Sequence, residues 1–495
     1  MKNFCCTALI PLVKPTSKKL IILIFILGNL ASFAQRNPSQ IIGGIEQINI
    51  TPPVGGRLAG HFYEIFSTGI HDSLWAKAMV LQQGKEKFAF VFCDLIGLTE
   101  NISTTARKLA SVKTGIPVKN ILIAAAHSHT GPLFYGFQHT YFHSKAIAND
   151  GVDPHERIDY PNFLIHQIET AIVKANAHLK PIEIEAGVGE QENLSFNRRY
   201  HMKNGTVLFN PGPLNPEIVG PAGPIDPAVG ILLIRSSKSK KYEGGLTVFA
   251  MHADCIGGTE ISADYPYYIE QTLKKRFGNN FIAAFSLGPS GDINDINVKK
   301  DQPIYSDSNT EKIGQTLGGS VIKTIPKLKL ISKPAFAMVS SKISLPLQVP
   351  TLEQIDSAKN MINNLYKVSQ TGIYLKNAGG ESGDFLKRVE MSKYLALESQ
   401  KESVQVEVQV FRIDSETAIV GLPGEIFVEL GLAIKKRSPF KNTIIMTVCN
   451  DKTSYVPTKK AFTEGSYEVT NSIIKAGGGE ILVETAVKLL NEIKK

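Results

Sequence analysis

The chain has 495 residues, 43% hydrophobic and 20% charged, with 41 Gly, 26 Pro and 5 Cys. Values in this range exclude a disordered, collagen-like or disulfide-scaffold protein and suit a folded globular one. The formal charge of +9 is weighted to the start, where residues 1–34 carry four Lys and no acid; the remaining 50 basic and 45 acidic residues leave a small, dispersed excess that argues against a nucleic-acid partner.

The first residues read as a secretory signal over 1–34. Lys14, Lys18 and Lys19 precede an apolar run from Leu20 to Leu27, and Ser32-Phe33-Ala34 is a small-x-small cleavage site before Gln35. The run is far shorter than the roughly 20 residues that span a bilayer. The expectation is an exported protein, periplasmic or secreted, whose residues 35–495 form one large domain. Cys93, Cys255 and Cys449 remain after cleavage, an odd and widely spaced set that reads as buried thiols.

Apolar runs bounded by turn signals predict strands at Phe88–Cys93, Ile121–Ala126, Leu246–Met251, Phe281–Ser286, Ala418–Leu422 and Thr443–Val448. Strict alternation of Val404, Val406, Val408 and Val410 with polar residues predicts a strand with one solvated face. Helical patterns fill Asn162–His178, Tyr265–Phe277, Thr310–Ile325, Leu352–Val368, Phe427–Lys436 and Glu480–Ile493. Strands interleaved with helices give an α/β fold, with a mixed or largely parallel sheet flanked by helices.

Five of the strands run into polar residues suited to a site: His127-Ser128-His129, His252, Ser290-Gly291-Asp292-Ile293-Asn294, Pro423-Gly424-Glu425, and Asn450-Asp451 followed by Tyr455. Ligands of α/β sheets bind beyond the carboxyl ends of strands, so five such endings suggest one shared rim. At strand spacing, His127 and His129 point to one face and can approach one metal. All eleven His lie at or before position 252, so a further ligand from the second half must be oxygen or sulfur, and Glu425 is a natural candidate. Two His and a Glu make a catalytic zinc set with a position open for water.

These residues carry a resemblance. Asn49-Ile50-Thr51-Pro52-Pro53, Ala126-His127-Ser128-His129-Thr130-Gly131-Pro132, Asn197-Arg198, Gly223-Pro224-Ile225-Asp226-Pro227, Ser262-Ala263-Asp264-Tyr265-Pro266, Gly291-Asp292, Leu422-Pro423-Gly424-Glu425 and Tyr455-Val456-Pro457-Thr458 occur in the order seen in the neutral/alkaline non-lysosomal ceramidases. The chain resembles the N-terminal catalytic domain of that family over most of residues 40–495. The resemblance implies a zinc-dependent amidohydrolase with one Zn2+ per chain, held by His127, His252, Glu425 and Tyr455. It implies His129 as the active-site histidine beside the metal, Arg198 near the substrate carbonyl or hydroxyls, and Tyr467 as a second active-site tyrosine.

Two departures stand out. Where ceramidases carry Gly-Asp-x-Ser-Pro with a catalytic serine, this chain reads Gly291-Asp292-Ile293-Asn294-Asp295. An asparagine supplies no nucleophile, but its amide can donate to an oxyanion. The family's C-terminal β-sandwich is also not expected, because the chain finishes on the helix at 480–493. The expected chemistry is hydrolysis by metal-activated water, with His129 as general base and acid, Tyr467 and Arg198 on the oxyanion, and Asp292 orienting a His or a substrate hydroxyl. The expected substrate is a small-molecule or lipid amide, met in transient contact with a membrane surface. The alternatives are a non-lipid amide or ester as substrate, or a metal-bound protein of ceramidase type with weak catalysis.

Overall fold

The computed structural model describes residues 40–367 and 383–495, so the export signal read at 1–34 and Val368 of one predicted helix lie outside the described residues. A large mixed sheet is built from β1 (Ile41–Asn49), β2 (Trp75–Gln83), β3 (Glu86–Cys93), β4 (Ile121–Ala125), β5 (Lys180–Glu190), β6 (Ala228–Ser236), β7 (Tyr242–Phe249) and β8 (Ile282–Leu287). Their spatial order is β8-β7-β6-β5-β1-β2-β3-β4, and Lys329–Leu330 adds a short ninth strand on β5. A second sheet stacks β9 (Ala337–Pro346), β10 (Ser403–Arg412), β11 (Thr417–Gly421) and β12 (Asn442–Met446) in sequence order.

Of the two sheet types expected, the mixed one is found. Within these two sheets, parallel pairing is confined to β3/β4, β7/β8 and β11/β12. Each pair is joined by a crossover containing a helix, as parallel strands require: α1 (Glu100–Thr114), α2 (Tyr265–Phe277) and α3 (Val428–Arg437) respectively. Local chemistry fixes the helix ends. Thr99 caps α1 by accepting from Ile102 N–H, and Gly115 ends it with φ 69°. Asp264 accepts from Tyr265 N–H at the start of α2, with Pro266 in the first turn.

Alternation along the strands sorts the core into layers. Ala78, Val80, Val91 and Ile123 face α1 and the helix Tyr160–Ala177, while Met79, Leu81, Phe90 and Leu122 face the second sheet. Beyond that sheet, α3 and the helix Gly478–Lys494 close the fourth layer. The one-faced strand expected at 404–410 is therefore corrected. Its first half alternates, but Val408, Gln409, Val410 and Phe411 are all buried, because Phe411 packs on Phe88 and Phe90 of the large sheet.

The chain following β12 ties together β4 and β8, which lie at opposite ends of the strand order. Thr447 N–H donates to Leu287 O (2.8 Å), Ala125 N–H to Val448 O (3.2 Å) and Asn450 N–H to Ile123 O (2.7 Å). The carboxyl ends of all three parallel pairs thereby meet in one place. Cys93, Cys255 and Cys449 are free and buried, as expected. Among the described residues no helix is long and apolar enough to cross a membrane.

Candidate metal centre and active site

β4 ends at Ala125, and the next residues turn sharply. Ala126 N–H donates to Cys93 O and His127 N–H to Leu95 O, and His127 adopts φ 68°. Ser128 Oγ and Thr130 Oγ1 both donate to the carbonyl of Ser262, at 2.6 and 3.0 Å. This pinned turn, and not strand alternation, brings His127 and His129 together, with their Nε2 atoms 3.3 Å apart.

The tautomers follow from the hydrogen bonds. His127 Nδ1 lies 2.7 Å from Ile96 O, and His252 Nδ1 lies 2.8 Å from Ser290 O. A carbonyl can only accept, so each Nδ1 carries a proton, and in the neutral ring that ligates a metal each Nε2 presents its lone pair. Both Nε2 atoms face Glu425 Oε2, at 3.2 and 3.3 Å, and that buried oxygen has no hydrogen-bond donor. Tyr455 Oη stands 3.4 Å from His252 Nε2. Acceptors gathered in a dry site repel one another unless a cation lies between them. Ligands at about 2.1 Å around a tetrahedral ion sit about 3.4 Å apart, so the observed spacings fit a divalent metal. The sequence-expected set of His127, His252, Glu425 and Tyr455 is brought together.

Two glycines permit this approach. Glu425 and Tyr455 are opposite each other in a short parallel ladder, and Gly424 before it has φ 74° with its Cβ direction 2.7 Å from Ser454 O. A Cβ on Gly291 would stand 2.5 Å from Glu425 O. Both positions exclude a side chain.

Electrostatics keep the set in ligand form. Burial, reinforced by Arg198, pushes His252 down to about 3. Burial, then His127 and His252, also hold His129 well below its usual range, so it is a neutral base. Burial opposes ionisation of Glu425, but His127, in the metal-free site where its ring can carry a second proton, and Lys452 outweigh it, and the carboxyl lies well below its ordinary range.

Arg198 is buried, with Nε donating to Glu468 Oε1 (2.8 Å) and Nη2 to Gly291 O (2.7 Å) and Tyr455 Oη (3.1 Å). Its guanidinium also stacks over the Tyr455, Tyr467 and Phe209 rings. Its donors are thus largely committed to protein, and it places the two tyrosines instead of reaching out to a substrate. Tyr467 is in the site, 5.5 Å from Tyr455 between ring centres.

One expected role is corrected and another is narrowed. Asp292 orients no histidine: Oδ1 accepts from Val428 N–H at the start of α3, and Oδ2 from Asn197 Nδ2, both at 2.8 Å. The neighbouring backbone carbonyls of Ser290 and Ile293 hold His252 in its place. Asn294 gives one amide N–H to Asn210 Oδ1 (3.1 Å) while its oxygen accepts from Ile296 N–H, so it braces its loop and keeps a single N–H for an oxyanion.

Sequence reasoning missed several neighbours. Lys452 Nζ lies 3.5 Å from Glu425 Oε1, the oxygen turned away from the histidines. Asp254 Oδ1 lies 3.5 Å from His129 Nδ1. The turn 57–66 folds back on itself, and Gly60 at its tip touches the His129 ring, which leaves no room for a Cβ. Phe62 from that tip, with Phe209, Phe385, Leu386 and Val389, forms an apolar wall against Tyr455 and Tyr467. Only the position of Lys452 and Asp254 beside strand-end residues hinted at them.

The fold and site define an α/β protein with a buried His/Glu/Tyr centre shaped for a divalent metal at the joined ends of its parallel strands. Residues 44–310 match the family described as neutral/alkaline non-lysosomal ceramidase, N-terminal, and the chain belongs to that family. Its structure is similar to that of the neutral ceramidase from Pseudomonas aeruginosa, with a TM-score of 0.65 and 20% identity, covering 92% of this chain and 75% of that one. A ceramidase complexed with C2 gives a TM-score of 0.64 and 19% identity, over 92% and 76% of the two chains. No curated protein matches this chain.

Proposed function

We propose that this chain hydrolyses the amide bond of an N-acylated lipid of the ceramide type at a zinc centre held by His127, His252, Glu425 and Tyr455. The observation that carries this reading is the orphaned Glu425 oxygen facing two histidine lone pairs, next to an apolar wall. Nitrogen and oxygen donors in this number suit zinc. When bound, the metal supplies a Lewis acid that lowers the pKa of a water and polarises a carbonyl.

The chain's own groups do the rest. His129 is neutral and borders the centre, so it removes a proton from the attacking water as the oxygen bonds to the acyl carbon. The same proton passes to the amine nitrogen as the C–N bond breaks, giving a carboxylate and a free amine. Tyr467 donates to the oxygen that becomes negative, and Arg198 fixes both tyrosine rings for that task. Phe62, Phe209 and Phe385 line the place for an acyl chain. No serine nucleophile is needed, which is consistent with Asn294 being occupied as a brace.

The test is release of fatty acid from N-acyl sphingoid bases, N-acyl amino acids and simple esters, followed by mass spectrometry. Turnover fastest on the first class, removed by a chelator and restored by zinc, supports the reading. Zinc-loaded protein inert on the whole panel refutes it and favours a binding role. Export is part of the proposal: the mature protein should begin near Gln35, which N-terminal sequencing from the native host decides.

A further inference from the structure

A second group of ligand-type side chains lies away from this centre. The helix Gly136–Asp150 carries His139 and His143 one turn apart, their rings nearly parallel at 13° with centres 5.9 Å apart. The turn that follows brings back Asp153 and Glu156. His143 Nδ1 lies 3.1 Å from Asp153 Oδ2 and 3.1 Å from Glu156 Oε2, and ligand atoms of the three residues all lie within 4.8 Å of one another. Each carboxylate has a second partner. Arg57 Nη1 holds Asp153 Oδ2 at 2.6 Å, and His139 Nε2 holds Glu156 Oε1, the other oxygen, at 2.8 Å.

The charge is unbalanced. Arg57 faces three carboxylates, those of Glu64, Asp153 and Glu156. With neutral imidazoles the group carries two excess negative charges, although the Asp153 side chain is only 2% exposed.

We infer that His143, Asp153 and Glu156 form a second divalent-cation site, distinct from the His127 centre. The 3.1 Å separations are close to the ~3.4 Å between ligands of a tetrahedral ion, and one position stays open. A dication neutralises the excess charge. One imidazole with two carboxylate oxygens suits zinc better than calcium or magnesium, which take six or more oxygens. Arg57 and His139 act as the outer partners that orient ligating carboxylates. The ion fastens the helix Gly136–Asp150 to the base of the turn 57–66, whose tip touches His129. It borders a cavity of about 340 Å³ lined by Arg57, His139, His155 and Glu156.

The experiment uses the full chain, stripped of metal and then titrated with zinc, with bound metal counted by mass spectrometry and calorimetry. Two zinc ions per chain are expected in the wild type, and one in His127→Ala. That remaining ion should be lost, by about 100-fold or more in affinity, on adding His143→Ala, and weakened about tenfold by His139→Ala. Glu156→Gln on the His127→Ala background is the second variant and should weaken it similarly to His143→Ala. The inference fails if His127→Ala binds no zinc at 100-fold molar excess, or if its zinc survives both His143→Ala and Glu156→Gln. Because the first centre is disabled in these variants, the outcome is independent of the proposed hydrolysis.

Discussion

Gly424→Ala tests whether the backbone, and not the ligand side chains alone, sets the metal geometry. The added Cβ would stand 2.7 Å from Ser454 O, a separation below 3.0 Å that real Cβ atoms essentially never show. The ladder holding Glu425 beside Tyr455 must therefore part by about 0.5 Å, while ligand distances at a zinc site tolerate about 0.2 Å. The left-handed backbone adds about 1–2 kcal/mol of strain for any L side chain. Zinc affinity should fall about 100-fold, which corresponds to about 2.7 kcal/mol. The melting midpoint of the metal-free protein should drop by only about 1–2 °C, because a chain of this length has a large unfolding entropy. Gly84→Ala is the control: it has φ 57° with nothing within 4 Å of the new atom, and it should show the strain without the zinc defect. Competition with a chelator measures the affinity, and a thermal melt measures the strain. Wild-type zinc affinity in Gly424→Ala would refute the positioning argument.

Three further outcomes are expected. His127→Ala and His252→Ala should lose catalytic zinc and turnover yet stay soluble and folded, because the layers rest on apolar strands; circular dichroism checks this, and collapse of both variants would make the metal structural. Asn294→Ala should reduce kcat less than tenfold, with Asn210→Ala giving a similar loss, since the two amides brace one loop; a loss above a hundredfold in Asn294→Ala alone would restore it as an oxyanion donor. His252, held at about 3 when folded against about 6.5 when unfolded, takes up a proton on unfolding below pH 6.5, so metal-free stability contributed at this site falls as pH drops. Denaturant melts should show the wild type losing about 2 kcal/mol relative to His252→Ala between pH 8 and pH 5; buried acids such as Asp292, raised to about 6 by burial, act in the opposite sense but are common to both proteins.

The strand and helix cores were legible because they depend on local pattern. The apolar runs at Phe88–Cys93 and Ile121–Ala126, and the helix Tyr265–Phe277 after Asp264, are seen at nearly the expected bounds. With no histidine beyond 252, an oxygen or sulfur ligand was expected from the second half and Glu425 was a candidate, while Tyr455 and the complete set came from the family resemblance. The fold then decided what pattern cannot express. Parallel pairing of β3/β4, β7/β8 and β11/β12 joins segments across a whole crossover, and the bridge of residues 447–450 between β4 and β8 joins segments far apart in the chain. The left-handed turn at His127 depends on carbonyls of Cys93, Leu95 and Ser262, so the spacing of His127 and His129 gave the right pair by the wrong geometry. The roles of Asp292, Asn294 and Arg198 were fixed by who occupies their hydrogen-bonding groups. A residue type states which bonds a side chain can make; burial and neighbours decide which remain free for chemistry.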